Sequence, residues 1–360
     1  MERRSVLVHS GLVGILGAGL APAVHAQPMV RWRLASSFPK SLDTLFGSAE
    51  VFSKTLKALT GGKFEVSVHA AGELMPAFGV VDGVQNGTVE MTQTSPYYFT
   101  GKDPVFAFGS AIPFGLTLRQ MNAWTQQGNG GRLLSDFFAQ YNMLYWSGDG
   151  TGTQMGGWYR KEIKSVADLK GLKLRLGGGL FGDVASKLGV VPQSIPAGEV
   201  YQALEKGTLD AAEWIGPYDD EKLGFNKVAK FYYYPGWWEA NAQLAWFINK
   251  KAFESLSAEF KAALSSACVE AGTYLITRYD ALNPAALKRL VASGTQVRAF
   301  PKDVMDQGFA ASVEVLADIS AKNPTFKKIL EDMRNFQRDQ LLWERYSEYR
   351  YNSYMANLKI

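Results

Sequence analysis

Apolar and polar positions follow two periods along this chain, and the periods take turns. Val30 to Ala35 and Phe64 to Val68 alternate residue by residue, as strands do. Between them, Phe46, Ala49, Phe52, Leu56 and Leu59 recur at helical spacing within Asp43 to Thr60, and Gly61-Gly62 closes that helix. Pro76 to Gly87 predicts another helix and Val89 to Ser95 another strand. Strands alternating with helices predict an α/β fold with a mainly parallel sheet.

The pattern then starts again. Met143 to Gly148 and Met155 to Tyr159 are strand-like. Ser165 suits an N-cap, GLKLRLG a strand, Phe181 to Leu188 a helix, and VYQALEKGTLDAAEWI a helix, a turn and a strand. The segments VVDGVQNGTVEMTQ and EVYQALEKGTLDAAEW share a build of helix, glycine turn and short strand, which predicts two lobes of related design. Gln243 to Asn249 predicts a strand crossing back toward the first lobe, and the chain beyond it is mostly helical, with Pro324 to about Met355 as one long helix. The expected organisation is a first lobe over 27–150 with about 241–285, a second over 151–240 with about 286–323, and a C-terminal long helix over 324–360. Lobes joined by crossing strands enclose a cleft, and ligands favour such interfaces and the carboxyl ends of strands.

The N-terminus changes the picture of where this happens. Residues 1–26 carry Arg3 and Arg4, an apolar run from Gly11 to Leu20, and small residues ending Val24-His25-Ala26. That is the order of a secretory signal with an A-x-A type cleavage site. The apolar run falls short of the ~20 residues that span a bilayer, and the paired arginines suit twin-arginine export. Cleavage removes two Lys/Arg and one Asp/Glu from totals of 38 and 34, leaving 36 and 33 and a net charge of +3. So mild a charge, evenly spread, argues against a nucleic-acid partner. The single cysteine, Cys268, cannot form an internal disulfide and reads as a buried thiol on a helix. One histidine, His69, survives cleavage and reads as a strand-end residue, so Ser-His-Asp hydrolysis and His-rich zinc sites are hard to build.

The candidate chemistry gathers around EWIGPYDD, which sets Glu213 beside Trp214 at the end of a strand. A carboxylate facing the cleft there needs a cation or an ion-pair partner. Gln154 and Glu239 stand near other cleft-lining turns, and together these oxygens suit Na⁺ or Ca²⁺ rather than zinc. Arg175 ends the GLKLRLG strand, where a guanidinium can grip a carboxylate from both nitrogens; it could equally be a solvated edge residue or the ion-pair partner of Glu213. GGGLFG (177–182) satisfies a dinucleotide fingerprint on paper, but an exported chain has little access to NAD; its glycines better suit close approach of a ligand. Aromatic residues, Tyr97 and Tyr98 among them, crowd the same places.

LKGLKLRLGG, GVVPQSIPAGEVYQALEKGTLDAAEW and GPYDDEKLGFNKVAKFYYYPGWWE resemble the solute-binding receptors of tripartite ATP-independent periplasmic (TRAP) transporters over nearly the whole mature chain. EWIGPYDDEKLGF and YYYPGWWE resemble the branch that takes 2-oxoacids such as pyruvate, or related 2-hydroxy acids. The resemblance implies a two-lobed periplasmic-binding-protein fold with an interlobe ligand cleft and a long helix spanning both lobes. It implies that Arg175 clamps the ligand carboxylate, that Gln154, Glu213, Glu239 and the Trp214 carbonyl hold Na⁺ or Ca²⁺, and that the ligand chelates this cation. It implies an aromatic contributed by the first lobe, for which Tyr97 or Tyr98 is the match. The implied partners are a small monocarboxylate, the small and large TRAP membrane subunits, and a second copy of the chain through Tyr346 to Met355. The alternative is an exported metal-dependent enzyme acting on 2-oxoacids with Glu213 or Glu239 as base; the shortage of spare acid/base groups argues against it.

Overall fold

The computed structural model describes residues 29–358, so the signal sequence lies outside the described residues. The first lobe opens with β1 (Val30–Ser36), α1 (Leu45–Leu59), β2 (Phe64–His69), α2 (Val80–Gln85), β3 (Met91–Thr94), α3 (Leu118–Gln126), α4 (Gly130–Ala139) and β4 (Met143–Gly150). The chain then crosses and builds β5 (Gly157–Tyr159), β6 (Lys173–Arg175), α5 (Gly179–Lys187), β7 (Val191–Gln193), α6 (Ala197–Glu205), β8 (Ala211–Ala212), α7 (Pro217–Leu223) and β9 (Phe231–Tyr234). It returns as β10 (Gln243–Asn249) and α8 (Lys250–Glu254), and continues through α9 (Ala258–Ala292), β11 (Gln296–Ala299), α10 (Lys302–Lys322), α11 (Pro324–Glu344) and α12 (Glu348–Met355).

Two sheets result. The first runs β2-β1-β3-β10-β4, with β1 parallel to both neighbours and β10 antiparallel between β3 and β4. The second runs β11-β9-β5-β8-β6-β7. The chain crosses between the sheets at 151–156, at 235–242 and again through α9, which leads from β10 to β11; the first two crossings reach the same small cavity.

Each lobe has its own apolar core. Phe52 stacks on Trp246 at 4.9 Å in the first and Trp158 on Tyr232 at 4.1 Å in the second, all four fully buried. Truncating Phe52 to alanine would cost about 3–5 kcal/mol, since a packed core collapses only partly into the gap.

The helix that spans both lobes is α9. Its 35 residues reach roughly 50 Å at 1.5 Å per residue, and it packs on α1 and β4 of the first lobe and on α7 of the second. Cys268 lies buried on it. The long helix expected over 324–355 is broken instead. The Tyr346 N–H donates to the carbonyl three residues back, the Ser347 N–H is shared between the Trp343 and Glu344 carbonyls, and Ser347 leaves the helical region at φ −109°, ψ −114°. α11 buries Phe326, Ile329 and Met333 in its first half and is tied further along by Arg334 and Gln337 to the Phe114 carbonyl, whereas α12 buries no residue and is held to the first lobe by the Arg119–Glu348 ion pair. The start of α11 returns to the first lobe, against α3 and α4.

Candidate functional site

Arg175 ends β6 beside β8, and the ladder runs one residue beyond β8 because the Glu213 N–H donates to the Arg175 carbonyl at 3.0 Å. Arg175 is 1% exposed, which excludes a solvated edge arginine. Its Nη1 donates to the Glu213 carbonyl at 2.7 Å and to Glu213 Oε2 at 3.2 Å; Nε donates to the Ile195 carbonyl at 3.2 Å. Its Cζ lies 4.7 Å from the centre of the Trp214 ring. The Arg175–Glu213 ion pair therefore exists, but it engages one carboxylate oxygen only.

The two crossing segments bring Gln154 and Glu239 to the same place. The Gln154 N–H donates to the Glu239 carbonyl at 3.3 Å, and the Gly236 N–H to the Gln154 carbonyl at 2.9 Å. A Cβ on Gly236 would stand 2.7 Å and 2.8 Å from the backbone oxygens of Met155 and Gln154, so this approach requires glycine. From the first lobe, the Tyr97 hydroxyl donates to Glu239 Oε2 at 3.1 Å. Tyr98 stands close enough to the Arg175 guanidinium for the two to interact. Gln154, Arg175, Tyr97, Tyr98 and Trp214 line one small, nearly filled cavity of about 10 Å³, with Phe38, Leu45 and Leu244 as its apolar wall.

Three buried side-chain oxygens around this place have no hydrogen-bond partner among the described residues: Oε1 of Gln154, of Glu213 and of Glu239. The Trp214 carbonyl likewise accepts no hydrogen bond among the described residues. Buried acceptors are rarely left so, because each orphan forfeits its hydration. Two of these oxygens belong to carboxyls with no exposed surface at all. Burial drives the Glu213 carboxyl well above the ordinary carboxylate range, and the Glu239 charge pushes the same way against Arg175. Burial pushes Glu239 up to about 8, although Arg175 and the bonds from Tyr97 and Gln154 oppose it. A cation reverses this arithmetic, since its charge stabilises both carboxylates and the orphan oxygens become its ligands. Two carboxylates, an amide oxygen and a main-chain carbonyl fit a hard ion such as Na⁺ or Ca²⁺. Among the described residues no group of three or more His, Cys, Asp or Glu side chains is placed to hold a metal, which leaves no zinc-type centre there.

The glycines of GGGLFG have a different role from the one expected. A Cβ on Gly177 or Gly178 would lie 2.9 Å from the Tyr97 side chain, and one on Gly179 2.4 Å from Thr100 Oγ1. They admit Tyr97 and Thr100 of the first lobe. His69 ends β2 and bonds Ser67, away from the cleft. Sequence reasoning missed Phe38, Leu45 and Thr151. The apolar pair carries no mark that separates it from core; Thr151 sits beside Gln154 in GTGTQ, and only the fold shows what its hydroxyl holds.

Comparison with known proteins agrees with this geometry. The family model of bacterial extracellular solute-binding proteins, family 7 (DctP), matches residues 35–323. The chain is 42% identical, over 99% of its length and all of the relative's, to a monocarboxylate 2-oxoacid-binding periplasmic protein of Nostoc sp.. A TRAP transporter solute-binding protein from Bordetella bronchiseptica, with copurified calcium and picolinate, is 49% identical, with a TM-score of 0.89 over 91% of this chain and 97% of that one. One from Pseudoalteromonas atlantica, with bound sodium and pyruvate, is 34% identical, with a TM-score of 0.87 over 92% of this chain and all of that one. The chain belongs to family 7 of the bacterial extracellular solute-binding proteins, and it is a receptor rather than an enzyme.

Proposed function

We propose that this receptor captures a small 2-oxo or 2-hydroxy monocarboxylate, such as pyruvate, together with Na⁺ or Ca²⁺, and delivers it to the small and large membrane subunits of a TRAP transporter. The observation that carries the reading is the set of orphan oxygens of Gln154, Glu213 and Glu239 sealed beside a buried arginine. Their donor chemistry matches the sodium and calcium bound with small carboxylates by the relatives. In this reading Gln154, Glu213, Glu239 and the Trp214 carbonyl hold the cation, which offers a site for chelation. Arg175 holds the ligand carboxylate, for which one guanidinium is enough. Tyr97 and Tyr98 close the first lobe over both.

The lobes take unequal parts. Arg175, Glu213 and Trp214 lie on the second lobe, and Gln154 and Glu239 on the crossing segments. The tyrosines, Ser95 and the apolar wall of Phe38, Leu45 and Leu244 come from the first lobe. Capture on the second lobe followed by closure of the first would expel water and strengthen each polar contact.

Thermal-shift measurements on chelator-treated protein test the reading. Pyruvate and lactate should raise the melting temperature when Na⁺ or Ca²⁺ is present, and butyrate, which cannot chelate, should not. Equal stabilisation by butyrate would sink the chelation reading. We also propose that the exported, mature form works in the periplasm and dimerises through residues 346–355. There Tyr346, Tyr349, Tyr351 and Tyr354 are all at least 65% exposed. Light scattering on a chain ending at Glu344 should then report monomer where the full chain reports dimer.

A further inference from the structure

The amide of Gln154 must present its oxygen, not its nitrogen, to a cation, and a neighbouring hydroxyl dictates that choice. Thr151 is 4% exposed and starts the segment that crosses between the lobes. Its Oγ1 donates to the Gly152 carbonyl at 2.9 Å. It accepts from the Ala242 N–H at 3.2 Å and from Gln154 Nε2 at 3.1 Å. A hydroxyl has one proton and two lone pairs, so all its capacity is assigned. Turning the amide over would point Gln154 Oε1 at an oxygen whose one proton already goes to the Gly152 carbonyl, and would take Nε2 away from the Glu239 carboxylate it also faces. It would also aim Nε2 where Oε1 now stands without a partner. The hydroxyl itself is held in place because Thr151 N–H donates to the Ala242 carbonyl at 3.2 Å and Gly152 N–H to Asn241 Oδ1 at 3.1 Å.

We propose that Thr151 is a positioning residue for the cation: its hydroxyl locks the Gln154 amide with Oε1 facing the site, and so sets cation affinity without being a ligand. The inference rests on the cation-binding reading above. Groups that orient metal ligands in this way typically change affinity by roughly 10- to 100-fold when removed. The returning segment shares the same hydroxyl through Ala242, so the staple also ties Gln154 to the strand that leads from Glu239.

The test measures two quantities on the mature full chain, stripped with a chelator and using Ca²⁺ and pyruvate as probes. One is the calcium concentration at which pyruvate binding is half-maximal. The other is pyruvate affinity at saturating calcium. Thr151→Val keeps the shape and removes the hydroxyl; it should raise the first quantity roughly 10- to 100-fold and leave the second unchanged. Thr151→Ser should behave as the wild type. Because valine leaves two buried donors unsatisfied, circular dichroism checks its fold, and Thr151→Ala reads the same two quantities if it does not fold. In a Gln154→Met background the valine change should have no further effect on the calcium requirement. An unchanged calcium requirement in both the valine and the alanine variant would overturn the proposal. So would an equal loss of pyruvate affinity at saturating calcium, which would make Thr151 a ligand contact or a hinge element instead. If the wild type binds pyruvate regardless of any cation, the parent reading fails and this one falls with it; a cation-dependent wild type with an indifferent Thr151→Val defeats this inference alone.

Discussion

Tyr97→Phe removes one oxygen from the contact between the lobes and little else. The phenol edge packs on Tyr98 at 5.0 Å and on Phe181 at 5.5 Å, contacts that phenylalanine keeps. The ring also sits on a bed of backbone at Gly177 and Gly178, where even a methyl group would stand within 3 Å of it. What is lost is the 3.1 Å bond from the hydroxyl to Glu239 Oε2. A hydrogen bond to a charged acceptor contributes about 1.5–3 kcal/mol, which is roughly a ten- to hundredfold change in affinity. Tyr97 comes from the first lobe and Glu239 from a crossing segment, so the bond is complete only when the lobes meet. The loss should therefore fall on the dissociation rate of the ligand rather than on its association rate. Stopped-flow tryptophan fluorescence with pyruvate at fixed saturating calcium separates the two. An unchanged dissociation rate would mean that this hydroxyl does not hold Glu239 in the ligand-bound state, and the closure argument would fail.

Other consequences follow from the same contacts. Gly178→Ala places a Cβ 2.9 Å from the Tyr97 ring, so it should weaken pyruvate binding by resisting closure while unfolding remains normal; binding at full strength would show that the glycine bed is not needed. Arg175→Ala should abolish pyruvate binding in calorimetry, and it should lower unfolding stability by about 3–5 kcal/mol because Glu213 stays buried without its partner. Retained micromolar affinity would remove the arginine from the ligand site. Burial pushes Asp219 up to about 6 from 3.8, against the opposing bonds from Tyr279 and Thr44. A raised folded-state value means stability that is present below about pH 4 and is lost as pH rises through about 6, in all about 3 kcal/mol. Denaturant melts of Asp219→Asn should therefore fall less between pH 4 and 7 than those of the wild type; identical slopes would contradict the shift.

The parts of the fold that sequence periodicity shows are the long ones. β1 and α1 extend over enough residues for their periods to appear, and they occur within one or two residues of where the pattern sets them. The second sheet is built from strands of two to four residues, mostly too short for a two-residue period to be seen, except where the alternation of GLKLRLG runs past both ends of β6. There the tertiary pairing, not local preference, defines the strand. β11 was not legible because it is a half-exposed edge, paired on one side only. α3 and α4 were hidden by the run GNGG between them, which reads as loop although two of its glycines open α4. In the site, a carboxylate set against tryptophan at a strand end marked Glu213, and alternation put Arg175 on the opposite face from the leucines. The roles of Thr151, and of the Gly177–Gly179 run as a seat for Tyr97, depend on which segments cross near each other, and no local pattern records that.

The receptor proposed above holds the cation and the acid together. Calorimetric titration of the chelator-treated mature protein with pyruvate, in cation-free buffer and again with Na⁺ or Ca²⁺ restored, tests it most directly. One-to-one binding that appears only with the cation is the predicted result, and it should be lost in Glu213→Gln at the same cation concentration. Equal binding in both buffers would contradict the account, and would leave the buried oxygens of Gln154, Glu213 and Glu239 without the partner assigned to them here.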